Sequence, residues 1–443
     1  MEAQTIRKTV KFGGTSMATA EQFRKVAAII QADETRRYVV VSAPGKRSGD
    51  DTKVTDLLYN CFFAADAGKD FSGILSQIRA RFEDIRRELG LTLNLDEPFA
   101  EIAAQLRTKP DRDYAASRGE YLSALLMADY LGVPMVDAAN CIFFDAQGNF
   151  LPEPTYRALS ATLKEIPRAV IPGFYGSLPD GSIHTFSRGG SDVTGAIVAR
   201  ATNSRLYENW TDVSGLLSCD PHIIDNPAPI HSISYTELRE LSYMGASVMH
   251  ESAIFPVKSA GIPINIRNTN DPEHPGTMIH TGAGLRAFDR PVTGIAGRKG
   301  FSTVLVEMDQ MNEAVGYARD VLDIFASHGI LMEHMPSGID TLSVVVPTQQ
   351  LDPYRNEIIV ELKKRTHADA IYVSDRLSLI AVVGRGMVRQ KGVAGRVFKA
   401  LGEADINVNM IDQGSSEINI IIGVDTSDFE EAIRVLYKEF FSN

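Results

Sequence analysis

The 443-residue sequence has one tryptophan, Trp210, and only three cysteines, Cys61, Cys141 and Cys219. The cysteine count is odd, the spacing is wide, and no C-x-x-C occurs. A disulfide framework and a thiolate zinc site are therefore not expected, and a reducing cytoplasm fits. No run of about eighteen apolar residues is present, so no membrane span is expected. The first ten residues lack the apolar core of a signal peptide. Positive charge is short as well: 45 Lys and Arg against 56 Asp and Glu give a formal net charge of −11. That argues against a general affinity for nucleic acid or anionic membrane, while leaving room for a local basic pocket. What remains is ordinary for a globular protein, 44% hydrophobic and 23% charged. At roughly 100–200 residues per domain, the length suggests two to four domains.

The opening reads as β-α-β. A strand over 9–12 breaks at Gly13-Gly14, a helix over 21–32 puts Phe23, Val26, Ala27 and Ile30 on one face, and a β-branched strand over 38–42 ends at Ala43-Pro44-Gly45. This predicts an α/β sheet with parallel strands. Helices are expected over 53–67, 74–89, 101–107 and 119–131, and strands over 133–136, 169–171, 204–208 and 263–266. The Gly-, Arg- and Pro-rich stretch 281–300 reads as a linker. Beyond it lies a weak repeat at a 76-residue shift: Val321-Leu322-Asp323-Ile324-Phe325 leads to Ile330, and Val397-Phe398-Lys399-Ala400-Leu401 leads to Ile406. Flanking strands at 303–308, 330–335, 341–346, 378–383, 406–411 and 417–424, with helices at 349–364 and 428–440, make each copy a ferredoxin-like βαββαβ unit.

Four motifs carry chemistry. Lys11-Phe12-Gly13-Gly14-Thr15-Ser16 sits between a strand and a helix. Glycines admit a phosphate close to the backbone, helix N-terminal amides favour anions, and the lysine adds a full charge. It is not a Walker A loop. Ser187-Arg188-Gly189-Gly190-Ser191-Asp192 is a second glycine-rich turn before a helix. Its Arg suits a carboxylate, and its Asp a lysine or a hydrated Mg²⁺; Ser191 or Asp192 also suits a helix cap. Ser117-Arg118-Gly119-Glu120 stands where a helix is expected to begin, and Glu120 could simply stabilise that N-terminus. Trp210-Thr211-Asp212-Val213 follows a strand, at the carboxyl end where open α/β sheets bind ligands. Trp210 reads equally well as a core aromatic. His250-Glu251 lacks the second histidine of a zinc-protease helix, no G-x-S-x-G occurs, and Gly384-Arg385-Gly386 is half a dinucleotide fingerprint.

Together these residues identify a resemblance. The chain resembles the aspartokinases of the amino-acid kinase superfamily, from about residue 10 to 440. The motifs above, Gly173-Phe174-Tyr175-Gly176, Met244-Gly245-Ala246, Val248-Met249-His250 and Pro263-Ile264 stand in that family's order. Gln413-Gly414-Ser415-Ser416-Glu417-Ile418-Asn419-Ile420 looks like the second of two tandem ACT domains. The resemblance implies an α/β fold: an open, mainly parallel sheet sandwiched by helices, followed by two ferredoxin-like ACT domains. It implies a catalytic domain over 1–285, a linker over 286–300, and ACT domains over 301–374 and 375–443, with strands that two ACT units can exchange.

The implied reaction is phosphoryl transfer from ATP to the β-carboxylate of L-aspartate, with Mg²⁺ held mainly by the ATP. A carboxylate with a solution pKa near ~4 needs no general base at pH 7, so cations and positioning should dominate. By resemblance Lys11 and Asp192 are catalytic. Ser42, Thr55, Glu120, Arg188 and Ser191 line the aspartate pocket. Lys11, Gly13, Gly14, Thr15, Thr211, Asp212, Leu217, His222 and Ser247 lie on the ATP side. Relatives often carry Tyr, Arg and Lys where Leu217, His222 and Ser247 stand.

The ACT pair implies an effector amino acid, lysine or threonine, at Met311, Gly316, Glu333, Ser337 and Asp340. Glu333 or Asp340 would pair with its ammonium, or both are solvated loop charges. The pair also implies a homodimer or higher even oligomer through ACT domains. Rival readings are another amino-acid kinase, or an amino-acid sensor whose kinase domain has decayed. No dehydrogenase-sized stretch follows the ACT pair.

Overall fold

The computed structural model describes residues 6–187, 189–245, 251–282, 290–388 and 390–442, with 251 and 252 described by backbone alone. The chain divides into two compact units. The first contains residues up to 216 with 231–235 and 248–283; the second contains 217–230, 236–247 and 284–443.

In the first unit, strand β1 (Lys8–Phe12) has four of its five residues buried and lies between two parallel neighbours, β2 (Arg36–Val41) and, far downstream, β6 (Leu206–Thr211). With β3 (Ala169–Pro172), β9 (Ser232–Ser234), β10 (Ile264–Asn268) and β11 (Thr277–His280), these strands form a seven-stranded sheet of order β3-β2-β1-β6-β10-β11-β9. Only the β10–β11 pair is antiparallel. Strands β4 (Tyr175–Ser177) and β5 (Ile183–Thr185) form a hairpin. The two-stranded ribbon of β7 (Leu216–Leu217) and β8 (Pro229–Ile230) belongs to the second unit from residue 217 onward.

Helices α1 (Ala20–Gln31), α2 (Val54–Asp66), α3 (Ser72–Glu88), α4 (Asp96–Thr108), α5 (Arg112–Leu131), α6 (Pro152–Lys164), α7 (Gly190–Ala201) and α9 (Glu251–Ser259) complete the unit. The expected mainly parallel α/β sheet is therefore present. Helix α5 differs from its sequence reading. It begins at Arg112, where the Asp111 carboxylate accepts from the Tyr114 amide at 2.7 Å, and ends on Gly132 at φ 65°. An N-cap and a left-handed C-terminal glycine are the expected signals. Glu120 consequently sits in mid-helix, buried, rather than at an N-terminus.

The second unit holds helix α8 (Tyr235–Tyr243) from residue 236 onward and an antiparallel five-stranded sheet of order β13-β12-β14-β16-β15. Its strands are β12 (Gly294–Glu307), β13 (Thr341–Pro347), β14 (Ala370–Val383), β15 (Val408–Asp412) and β16 (Asn419–Asp425). Helices α10 (Tyr317–Ser327), the short α11 (Thr348–Leu351), α12 (Arg355–Thr366), α13 (Val393–Glu403) and α14 (Phe429–Phe441) cover it.

Two cores form. Val304, Val306, Ile324, Phe325 and Val344 build the first; Ile295, Ile380, Val382, Val397, Ile422 and Leu436 build the second. The long strands β12 and β14 serve both. Residues 301–307 of β12 pair with β13, while 294–298 pair with the far end of β14 beside β16. The register slips between Arg298 and Phe301, around Gly300 at φ 92°. This corrects the expectation of a linker over 286–300. Residues 286–289 lie outside the described set, and 294–300 are strand, because pairing with β14 outweighs a glycine-rich composition. The expected strand over 330–335 is irregular and touches β13 through a single bridge at His334, with another just beyond it at Ser337.

Candidate active site

Strand register builds the centre of the site. Lys11 and Asn209 are cross-strand partners in the parallel β1–β6 pair, so their side chains leave the same face of the sheet. Above that face runs the first turn of α7. The Lys11 ammonium lies 2.6 Å from Asp192 Oδ1, and the Asn209 amide donates to the same oxygen at 3.1 Å. Both strand residues are buried. The opposite sheet face takes Val10, Phe12, Glu208 and Trp210. Trp210 stacks on Phe12, donates from its indole nitrogen to Glu208 at 2.9 Å, and lies under the Arg36 and Arg267 guanidiniums. Glu208 is fully buried and pairs with Arg36 at 2.8 Å and Lys8 at 3.3 Å. Trp210 is thus a core aromatic.

Glycines bring three loops together. The Gly13 amide donates to the Trp210 carbonyl at 3.0 Å, and the Gly45 amide to the Gly14 carbonyl at 2.7 Å. A Cβ on Gly45 would fall 2.7 Å from the Gly14 carbonyl carbon, so the turn after β2 must be glycine there. Arg81 of α3 secures this loop, donating to the Gly45 and Thr52 carbonyls at 2.6 and 2.7 Å. Ser42 is half-buried beside β1, its amide bonded to the Phe12 carbonyl. Thr55 is half-buried in the first turn of α2. Thr15 lies in the single turn Gly14–Met17 that follows β1.

Helix α7 begins on Gly189 at φ 57° with no side-chain cap, so neither Ser191 nor Asp192 acts as its cap. A Cβ on Gly190 would fall 2.4 Å from the Phe174 ring, and one on Gly173 2.6 Å from the Ser191 Cβ. The Gly173-Phe174-Tyr175-Gly176 turn is thereby packed onto the start of α7. Glu120 reaches this place from α5. Burial pushes its carboxyl up to about 8, against the pull of the Ala43 amide, the Lys11 charge and the Ser191 hydroxyl. Its Oε2 is buried without a partner among the described residues. A buried carboxylate missing a donor is costly unless a cation completes it. Arg118, two residues earlier, is held among the Tyr114, Tyr121 and Tyr175 rings instead.

The structure thus brings together Lys11, Gly13, Gly14, Ser42, Glu120, Ser191 and Asp192, along with Asn209, which the sequence reading missed. Thr211 closes β6, half-buried, and donates to the exposed Asp212 at 3.1 Å. Leu217 and His222 belong to the second unit, both exposed, with His222 paired to Asp220 at 2.8 Å. Arg188 and Ser247, with Ala246 and Val248-Met249-His250, lie outside the described residues.

Asp192 offers one further oxygen, Oδ2, with no protein partner among the described residues. No group of three or more His, Cys, Asp or Glu that could hold a metal occurs among those residues. One carboxylate oxygen beside a lysine whose Nζ lies 3.6 Å from where a Gly13 Cβ would stand fits a hydrated divalent cation brought in on a nucleotide's phosphates.

The effector candidates lie in the second unit. Asp340 Oδ1 accepts from the Gln310 amide at 3.0 Å, next to the turn that carries Met311. Gly316 opens α10 at φ 86°, and Ser337 is exposed. Glu333 faces α8: its carboxylate accepts from the Tyr243 hydroxyl at 2.5 Å and lies 3.9 Å from the Arg298 guanidinium.

A family model described as the amino acid kinase family matches residues 7–268, and an ACT domain model matches 380–440. The chain belongs to the amino acid kinase family, within its aspartokinase branch. It is 38% identical to aspartokinase 3 of Bacillus subtilis over 98% of this chain and 99% of the relative. A chloroplastic bifunctional aspartokinase/homoserine dehydrogenase of Arabidopsis thaliana is 29% identical over 97% of this chain, which spans 50% of that relative. Among solved structures, the aspartate kinase of Clostridium acetobutylicum superposes with a TM-score of 0.90 at 46% identity, covering 98% of this chain and 99% of the other. E. coli aspartokinase III, solved with aspartate and ADP, shares the fold at 24% identity and a TM-score of 0.74, covering 98% and 99%. As an aspartokinase, the chain carries its Lys11–Asp192 pair between β1 and the first turn of α7, each beside a glycine turn. No helix among the described residues is long and apolar enough to cross a membrane.

Proposed function

We propose that the chain transfers the γ-phosphoryl of ATP to the β-carboxylate of L-aspartate, giving 4-phospho-L-aspartate and ADP, under feedback control by an end-product amino acid. The observation that carries this reading is the buried Glu120 carboxyl, with one oxygen unpartnered among the described residues and close to Lys11 and Ser191. It suits the α-ammonium of an amino acid whose other end reaches the lysine. Glu120 binds that ammonium, Ser42, Thr55 and Ser191 line the pocket, and Arg188 holds a carboxylate.

The attacking β-carboxylate is already ionised at neutral pH, so no general base is required. The obstacle is bringing one anion onto another. Lys11 offsets the charge gathering on the transferring phosphoryl, and the Gly13 and Gly14 backbone approaches it closely. Asp192 keeps Lys11 aimed and turns its second oxygen toward the nucleotide. Mg²⁺, when bound with ATP, would neutralise the β- and γ-phosphate charge, with Asp192 as its protein neighbour. Thr211 and Asp212 contact the nucleotide.

The ACT pair binds lysine or threonine near Met311, Gly316, Glu333, Ser337 and Asp340. It also joins subunits into a homodimer or a higher even oligomer, and the enzyme works in the cytoplasm. Purified protein with MgATP tests the reading. ADP release should depend on L-aspartate, not L-glutamate, and should fall with lysine or threonine. No aspartate-dependent release would overturn it.

A further inference from the structure

Asn209 has no role in the motifs that identify the family, yet it stands at the centre of the site. It occupies β6 opposite Lys11, and it is 4% exposed. Its amide nitrogen donates to Asp192 Oδ1, the oxygen that already faces the Lys11 ammonium. The reverse amide orientation would set a carbonyl oxygen against that carboxylate oxygen, so the observed one is fixed by charge. Two residues earlier on the same face, the Tyr207 hydroxyl donates to the Asp192 backbone carbonyl at 3.1 Å. Tyr207 fits there because Gly195 of α7 has no side chain: a Cβ would meet the hydroxyl at 2.5 Å. Strand β6 therefore holds Asp192 at two points, the backbone through Tyr207 and the carboxylate through Asn209.

We propose that Asn209 is a positioning residue: by engaging the same Asp192 oxygen as Lys11, it fixes the rotation of the carboxylate and leaves Oδ2 free for the divalent cation carried by ATP. Lys11 alone is a point charge on a flexible stem and would donate to either oxygen. The Asn209 amide has a direction and selects one. The inference rests on the kinase reading proposed above, and the wild-type protein in each assay reports on that reading separately.

The test uses N209L and N209S in the full-length protein, with two readouts. The first is calorimetric binding of ADP with Mg²⁺ and with EDTA, which needs no acceptor. Wild type should prefer the Mg²⁺ complex, and N209L and N209S should lose about tenfold of that preference while metal-free ADP binds as before. The second is turnover. Loss of an outer-shell partner typically costs about 10–100-fold, and the loss should fall on kcat with KM for aspartate unchanged. A purely structural role would weaken metal-free ADP as much as the Mg²⁺ complex. That joint loss, or a wild-type Mg²⁺ preference in N209L or N209S, would overturn the proposal. Wild-type protein that binds MgADP but fails to turn over aspartate would instead refute the kinase reading, and the binding arm would still decide the role of Asn209.

Discussion

Glu120→Gln keeps the shape of the site and removes one titration. In the free protein, burial holds the Glu120 carboxyl at about 8 against an ordinary 4.5. The unfolded chain releases this proton near 4.5, while the folded chain keeps it until about 8. Between those values the folded state binds more protons, so this residue's contribution to stability falls as pH rises. The slope is about 1.4 kcal/mol per pH unit, or about 4 kcal/mol between pH 5 and pH 8. Glutamine is neutral in both states and escapes that loss.

The unfolding free energy of E120Q minus that of wild type should therefore grow by about 4 kcal/mol from pH 5 to pH 8. Urea titrations at several pH values measure this directly. The same substitution should weaken aspartate, because the ammonium loses its counter-charge. Charge-assisted bonds are worth about 1.5–3 kcal/mol, so KM for aspartate should rise by roughly 10–100-fold. In wild type, kcat/KM for aspartate should climb as pH approaches 8, and in E120Q that rise should vanish. A stability difference that does not change with pH would refute the burial argument. Unchanged aspartate affinity in E120Q would refute the assignment of the ammonium.

Other consequences follow from the same geometry. K11M removes the charge facing the transferring phosphoryl, so kcat should fall by about 10² or more, with aspartate KM little altered in steady-state assays. E208A leaves the buried Arg36 guanidinium and the Trp210 indole without their acceptor. It should cost about 3–5 kcal/mol in denaturant unfolding, and a loss below 1 kcal/mol would mean that water replaces the carboxylate. Y243F releases Glu333 from its 2.5 Å hydrogen bond. If Glu333 takes the effector's ammonium, half-inhibition should need several-fold less lysine or threonine, measured as suppression of ADP release.

Much of this molecule is legible in its sequence because the signals are local. The Gly13-Gly14 break, the β-branched run before Ala43-Pro44-Gly45, and the Gly189-Gly190 turn each announce a strand–helix junction. Lys11 and Asp192 are conspicuous for that reason. Asn209 is not, because its meaning comes from register with Lys11, nearly two hundred residues away, and no local pattern reports a cross-strand partner. Glu120 reads as a helix start because Gly119 resembles a helix boundary, whereas Asp111 caps a helix that runs straight through it. Residues 294–300 read as a linker because Gly297 and Gly300 suggest irregular chain. Yet a Cβ on Gly297 would fall 2.7 Å from the Phe429 ring, so that glycine is a packing requirement. In the opposite sense, the stretch from Ile330 to Met335 reads as strand, but it meets β13 in a single isolated bridge at His334.

The shared strands also set an order of assembly. The half of the sheet built around Ile380 and Ile422 takes an edge from residues 294–298, which pair with 379–383 roughly eighty residues later. The other half, from 301 to 377, is contiguous and sits inside this interruption. During synthesis the inner half can close as soon as its last strand emerges, while the early strand waits unpaired for its partner. Loop-closure entropy grows only slowly with length, and a folded inner half shortens the effective gap further. The inner half thus acts as a staple that holds the two ends of the outer one in register. A break within 301–377 should scatter the outer half as well, whereas a precursor truncated after 377 should already contain one complete half.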